Sequence, residues 1–262
     1  MAGFRLIQNY LSSDSDDDCD NEVFDSKPVA DNQSNNNKNL PLPNNLLSWA
    51  DNKIEQSIIE DNPEKHDGRV RNFKHERGNW ATLVYIEYEL WDLLQTWMQS
   101  STEAFTDGNL IIENSHISLT RTLIFKFHWI DSFVASMKKI CSSVDPFILE
   151  LNNVRVYCNE QRTRTFLGIE CHCLEPSFTY LMESLNKLLA EYQLESFYEE
   201  ASYHISFFWM LGDREKELKS YVEELNNSLN QVLIKDLDKN YIKVSKLHCK
   251  IGNKIYIFTL KS

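Results

Sequence analysis

Ser115-His116-Ile117-Ser118-Leu119 and Tyr203-His204-Ile205-Ser206-Phe207 spell one pattern twice: His-Ile-Ser followed by an apolar residue. On a strand, residues i and i+2 project from the same face. Each histidine therefore shares a face with a serine, while Ile117 and Ile205 turn to the other side and pack. Among seven histidines, two such matches to His-apolar-Ser/Thr-apolar arise by chance about 1% of the time. The pattern predicts two short strands, each armed on one face with an imidazole and a hydroxyl.

Working outward, the two histidines stand 88 residues apart, and the surrounding pattern repeats at that offset. β-formers and apolar runs predict strands at 80–88, 116–123, 147–157, 163–173, 203–211, 241–249 and 254–260. Apolar stripes at helical spacing predict helices at 89–101, 128–140, 176–192 and 213–233. Moved by 88, the strand 80–88 overlaps 163–173, and the helices 89–101 and 128–140 fall inside the third and fourth helices. The strand 147–157 lands on the start of 241–249. The letters match only at the His-Ile-Ser tripeptides. This predicts an α+β fold of two pseudo-symmetric lobes, each an antiparallel-rich sheet with flanking helices, enclosing a cleft lined by two imidazoles and two hydroxyls.

Composition bounds the chemistry. The 262 residues are 42% hydrophobic and 25% charged, enough for one or two cored domains. Seven glycines spell neither a dinucleotide fingerprint nor a P-loop. A formal charge of −12 argues against nucleic-acid binding through a broad basic surface, so any RNA contact must be local. No apolar run reaches the ~18 residues of a membrane helix, so a soluble protein with no membrane partner is expected. Six cysteines show no CxxC pair and read as reduced thiols. In Cys171-His172-Cys173 the middle residue of a strand faces away from its neighbours, so the three cannot converge on a metal. Residues 1–76, acidic, Asn-rich and punctuated by proline, read as a mostly disordered leader, and 77–262 as the folded domain. Within the leader, 45–61 carries part of a helical stripe, and Ser13 and Ser15 sit in an acidic run open to phosphorylation.

Two imidazoles held either side of a phosphodiester suit one reaction well. Histidine titrates near neutral pH, so one ring can accept a proton while the other donates one. The base would deprotonate a ribose 2′-hydroxyl, that oxygen would attack the adjacent phosphorus, and the acid would protonate the departing 5′-oxygen. Ser118 and Ser206 would donate to the non-bridging oxygens, and no metal or other cofactor is required.

At these residues the sequence resembles the 2H phosphoesterase family, named for two His-x-Ser/Thr motifs in pseudo-symmetric lobes. The resemblance spans about 78–260. It rests on GNWATLVYIEYE (78–89), HISLTRTLIFKFHWIDSFV (116–134), TRTFLGIE (163–170) and FYEEASYHISFFWMLGD (197–213). A tyrosine six residues before the second motif, and a Trp and Gly-Asp after it, resemble the nuclear 3′-to-5′ exoribonucleases of the family that trim uridines from the 3′ end of U6 small nuclear RNA. The resemblance implies His116 and His204 as the catalytic pair, with Ser118 and Ser206 as phosphate donors. It implies Tyr198 as the stacking platform for the terminal base, with Gln161, Ser202 and Tyr203 along the nucleotide's approach. The implied product is a 2′,3′-cyclic phosphate, which some relatives open to a monophosphate. A monomer acting on an oligo(U) RNA end in the nucleus is expected. Either histidine can serve as base. Two other readings stand beside this one: a different 2H activity on cyclic phosphates or tRNA-type ends, and a non-catalytic adaptor for RNA ends. Arg121, Arg162 and Arg164 can contact an RNA backbone or pair with surface carboxylates, and His248 reads as structural.

Overall fold

Ile117 and Ile205 are wholly buried and face each other across an antiparallel bridge, the pairing that joins one wing of the strands to the other. The computed structural model describes residues 76–198 and 201–261. The leader segments singled out above lie outside the described residues.

The first half runs β1 (Asn79–Glu87), α1 (Asp92–Thr102), β2 (Gly108–Leu110), β3 (His116–Ser118), β4 (Leu123–Lys126), α2 (Ile130–Cys141) and β5 (Phe147–Cys158). The second runs β6 (Arg164–His172), α3 (Pro176–Glu191), β7 (His204–Leu211), α4 (Glu215–Lys219), α5 (Val222–Leu233), β8 (Tyr241–Val244), β9 (Lys246–Ile251) and β10 (Lys254–Thr259). The fold is α+β. Its strands follow the order β10-β9-β1-β3-β7-β6-β5-β8, with β4 added to β1 and β2 to β7; every pairing is antiparallel.

The repeat is visible in the ladders, with a refinement. Tyr85, Ile86 and Glu87 pair with Ser118, Ile117 and His116, and Gly168, Ile169 and Glu170 pair with Ser206, Ile205 and His204. β1 therefore corresponds to β6 at an offset of 83, while β3 corresponds to β7 at 88. The halves also exchange strands: β5 of the first flanks β6 of the second, and β9 of the second flanks β1 of the first. Two separate sheets were expected, but the β3–β7 bridge makes them one.

Other departures have local causes. The strand read at 241–249 breaks at Ser245, because β8 pairs with β5 while β9 pairs with β1 and β10; alternation with period two does not reveal a change of partner. The strand read at 116–123 bends into β3 and β4, which pair with different parts of β1. The last helix divides near Ser220, whose N–H returns to Glu217 O.

One face of the strands carries the core. Val84, Ile86, Ile117, Leu167, Ile169, Ile205 and Leu247 lie within it, packed with Leu94 and Trp97 of α1, Phe133 and Met137 of α2, and Leu181 and Leu185 of α3. The Trp97 indole donates to Ser228 Oγ of α5 at 2.9 Å, tying α1 to that helix. Pro176 opens α3 where its missing N–H costs nothing. The alternate strand residues form the opposite face, and the four motif side chains belong to it.

Truncating the central bridge is expected to cost far more than truncating a surface isoleucine. Ile117→Ala or Ile205→Ala should lose about 2–5 kcal/mol, and exposed Ile234→Ala less than ~0.5 kcal/mol, measured as shifts in chemical denaturation.

Candidate active site

The site is built on the Ile117–Ile205 bridge. Carrying that register one residue either way sets His116 across from Ser206 and Ser118 across from His204. With the two isoleucines turned into the core, all four polar side chains emerge together on the other face, half-buried.

Both rings are anchored the same way. His116 Nδ1 lies 3.1 Å from Asn114 O, and His204 Nδ1 lies 2.8 Å from Ser202 O. A carbonyl only accepts, so each Nδ1 carries the proton and donates it, leaving Nε2 as the working nitrogen. Asn114 presents its carbonyl from the left-handed region (φ 55), which asparagine tolerates better than most residues. Burial lowers both imidazoles below their ordinary value near 6.5. For His204 the neighbouring His116 lowers it further, while Ser202 O and Glu170 oppose the shift.

The supports of the two rings differ. Tyr157 of β5 stacks on His204 with centroids 3.7 Å apart and planes 14° from parallel. Its hydroxyl lies 2.9 Å from Ser202 Oγ, and Ser202 in turn donates to Glu170 Oε1 at 3.3 Å. The bonds therefore run from Tyr157 to Ser202 to a buried carboxylate, which Arg155 and His172 also hold at 3.1 and 3.0 Å. Burial pushes the Tyr157 hydroxyl up to about 12, keeping it a donor. The stack needs Gly168: a Cβ there would stand 3.0 Å from both His204 Cδ2 and Tyr157 Cε2. The corresponding residue of the first half is Tyr85, which meets His116 edge-on at 5.4 Å and 70° and stacks on His248. His248 Nε2 lies 3.3 Å from Glu87 Oε2, as Arg155 lies beside Glu170.

A chain of 262 residues with this pair of motifs invites comparison. The model of a family described as HVSL, uncharacterised conserved protein, matches residues 40–259. U6 snRNA phosphodiesterase 1 of Drosophila melanogaster is 35% identical over 232 residues, covering 85% of this chain and 86% of that protein. The Mus musculus protein of the same name is 34% identical over 234 residues, covering 85% and 84%. The chain belongs to the HVSL family and to that of the U6 snRNA phosphodiesterases. Among solved structures, Kluyveromyces marxianus Usb1 with uridine monophosphate is 17% identical, covers 70% of this chain and 99% of its own, and has a TM-score of 0.48, a level at which likeness speaks to neither ligand nor activity.

Within this phosphodiesterase frame, the residues expected around the nucleotide divide. Exposed Tyr198 lies beneath the Arg121 guanidinium, 4.0 Å from the ring centroid. Arg121 Nη1 is held by Glu160 of the β5–β6 hairpin at 2.5 Å and by Glu195 at 3.0 Å. Gln161 accepts a bond from Asn159 of its own hairpin at 3.3 Å, so it is its neighbour Glu160 that reaches the Arg121 and Tyr198 cluster. Ser202 is a hub for His204, as described. Tyr203, expected along the nucleotide's approach, is half-buried with its ring on Phe197 and Phe178. Arg162 pairs with Asp213 and Glu215, the surface alternative considered for it. His248, read as structural, shares the site's face through Tyr85. Sequence reasoning missed Tyr157, Gly168 and Glu170. Only the register discloses them: Glu87 pairs with His116 and Glu170 with His204.

Gly168→Ala should wedge Tyr157 from His204: the His204 ring protons lose their ring-current shift in proton–carbon spectra, and stability falls by about 1–3 kcal/mol. Because burial holds both histidines below 6.5 in the native state, the unfolded chain binds more protons just below that pH. Stability should therefore fall on acidification from 6.5 toward the lowered native values. A denaturation series against pH in His116→Gln/His204→Gln should show that part of the slope removed.

Proposed function

We propose that this chain is a 3′-to-5′ RNA exonuclease that trims terminal uridines from U6 small nuclear RNA, a reading supported by relatives named as phosphodiesterases of that RNA. The observation that carries this reading is the pair of imidazoles with Nδ1 fixed on backbone carbonyls and Nε2 turned to a shared face, each opposite the other motif's serine. In this reading residues 77–262 form the catalytic domain behind an acidic leader of 1–76, and the protein works in the nucleus as a monomer.

His116 Nε2 takes the proton of the penultimate ribose 2′-hydroxyl, and that oxygen attacks the adjacent phosphorus. The bond from phosphorus to the 5′-oxygen of the terminal nucleotide breaks, and His204 Nε2 gives that oxygen a proton. The shortened RNA keeps a 2′,3′-cyclic phosphate, which water can open to a monophosphate by the same acid–base pair. Glu170 offsets part of the lowering that burial and His116 impose on His204, and the assignment of acid to this ring rests on the terminal nucleotide lying toward Tyr198 of the same half. Ser118 and Ser206 donate to the non-bridging oxygens as charge builds on them. These groups supply acid, base and anion donors, so the steps call on no metal. Tyr198, exposed beside Arg121, is the stacking platform for the terminal base, and aromatic faces hold single-stranded bases without a broad basic surface. Ser202 acts beneath His204, and Gln161 borders the nucleotide pocket from the hairpin.

His116→Ala and His204→Ala should each lower trimming of an oligo(U) RNA in EDTA buffer by about 10²- to 10⁴-fold, read by mass spectrometry of the products. A 2′-deoxyribose at the penultimate position should block cleavage, since the attacking oxygen is then missing. Trimming that survives in both variants, or with the deoxy substrate, would overturn the reading.

A further inference from the structure

The cleaved phosphate has two sides, and the structure distinguishes them. Resting on the function proposed above, the terminal base lies toward Tyr198 and Arg121, so the RNA 5′ of the cut must leave on the other side. From His116 a continuous ladder leads there: β3 to β1, β1 to β9, β9 to β10. Three strand spacings of ~4.8 Å make a path of about 14 Å.

The register says which side chains line it. Tyr85 pairs with His248, Ile257 with His248, Thr259 with Lys246 and Ile255 with Lys250. Partners in an antiparallel pair share a face, so these residues stand on the face of His116, while Leu247, Cys249 and Ile251 go to the core. On β10, Ile255 and Ile257 are 52% and 60% exposed. Lys246 is exposed and Lys250 half-buried. In a chain of formal charge −12, residues 239–262 hold six lysines and no Asp or Glu. The carboxylate bordering the path, Glu87, is engaged by His248. On the opposite side the same face bears Glu170 and exposed Glu150, and Glu160 and Glu195 surround Arg121.

We propose that the β9–β10 face is the binding track for the single-stranded RNA upstream of the cut, with Lys246 and Lys250 on its phosphates and Ile255 and Ile257 under its bases. Cationic side chains that follow a backbone beside a platform for bases hold single strands without sequence readout; here two isoleucines give the bases apolar contact where other proteins use aromatic rings. The track also answers how an acidic protein holds RNA: its cations, Lys246 and Lys250, are local and belong to β9.

The test compares an oligo(U) octanucleotide with the dinucleotide UpU in the wild-type chain, Lys246→Glu, Ile257→Asp and the pair combined, with Lys243→Glu on β8 as the control from the other wing. Both track residues are exposed, so the variants are expected to fold, and thermal melts verify it. The wild type should show higher kcat/KM on the octanucleotide, and the double variant should lose about 10-fold of that advantage, while Lys243→Glu keeps it. Binding of a fluorescent octanucleotide with 2′-deoxyribose throughout, followed against salt, should lose about 0.7 from its log–log slope in Lys246→Glu. Equal efficiency on both substrates in the wild type, an advantage that survives the double variant, or an equal loss in Lys243→Glu would overturn the track; the first two would leave the face to a protein partner. If the wild type binds the octanucleotide through Lys246 and Ile257 but cleaves neither RNA, the catalytic reading fails and the track stands.

Discussion

The bridge between Ile117 and Ile205 is the constraint on which the rest depends. It is a short contact between two short strands, yet it fixes three things together. It joins the two wings into one set of strands, buries two fully enclosed side chains at the centre of the core, and forces the flanking His and Ser residues to the same face. Burial alone would tolerate many registers; placing both isoleucines inside tolerates few, because a slip of one residue would send the histidines into the core. The packing that stabilises the molecule thus also aims its chemistry.

Pseudo-symmetry supplies two imidazoles, and its breakdown makes them unequal. Position 85 and position 168 are equivalent in the ladders, yet one is tyrosine and the other glycine. With tyrosine, the first ring is met edge-on from β1. With glycine, space opens for Tyr157 to come from β5 and lie flat on the second ring, linked through Ser202 to buried Glu170. A reaction that takes a proton on one side of phosphorus and gives one on the other uses its two rings in different protonation states. Strand exchange has a part here too, since Tyr157 belongs to the first half of the chain and supports the histidine of the second.

The charge of the molecule falls into the same frame. A formal −12 keeps polyanions from most of the surface, so recognition must come from stacking and a few placed cations. Arg121 above Tyr198 lies to one side of the histidines, and the lysines of β9 lie to the other. Arg162, by contrast, spends its charge on Asp213 and Glu215 and shows that a basic residue near a site is no guide to ligand contact until its partners are known.

The sequence by itself determined the elements, the repeat and the four central side chains, because these follow from periods of two and 3.6 residues and from a tripeptide occurring twice. His116, Ser118, His204 and Ser206 could be placed on common faces without coordinates. Only the tertiary structure decided which strands neighbour one another: the exchange of β5 and β9, the division of 241–249 between two partners, and the different offsets of β1 and β3. Those choices rest on contacts between residues far apart in the chain, which leave no local periodicity. For the same reason Tyr157, Gly168 and Glu170 were silent in the sequence, and the packing of the half-buried Tyr203 on Phe197 and Phe178 was equally illegible there.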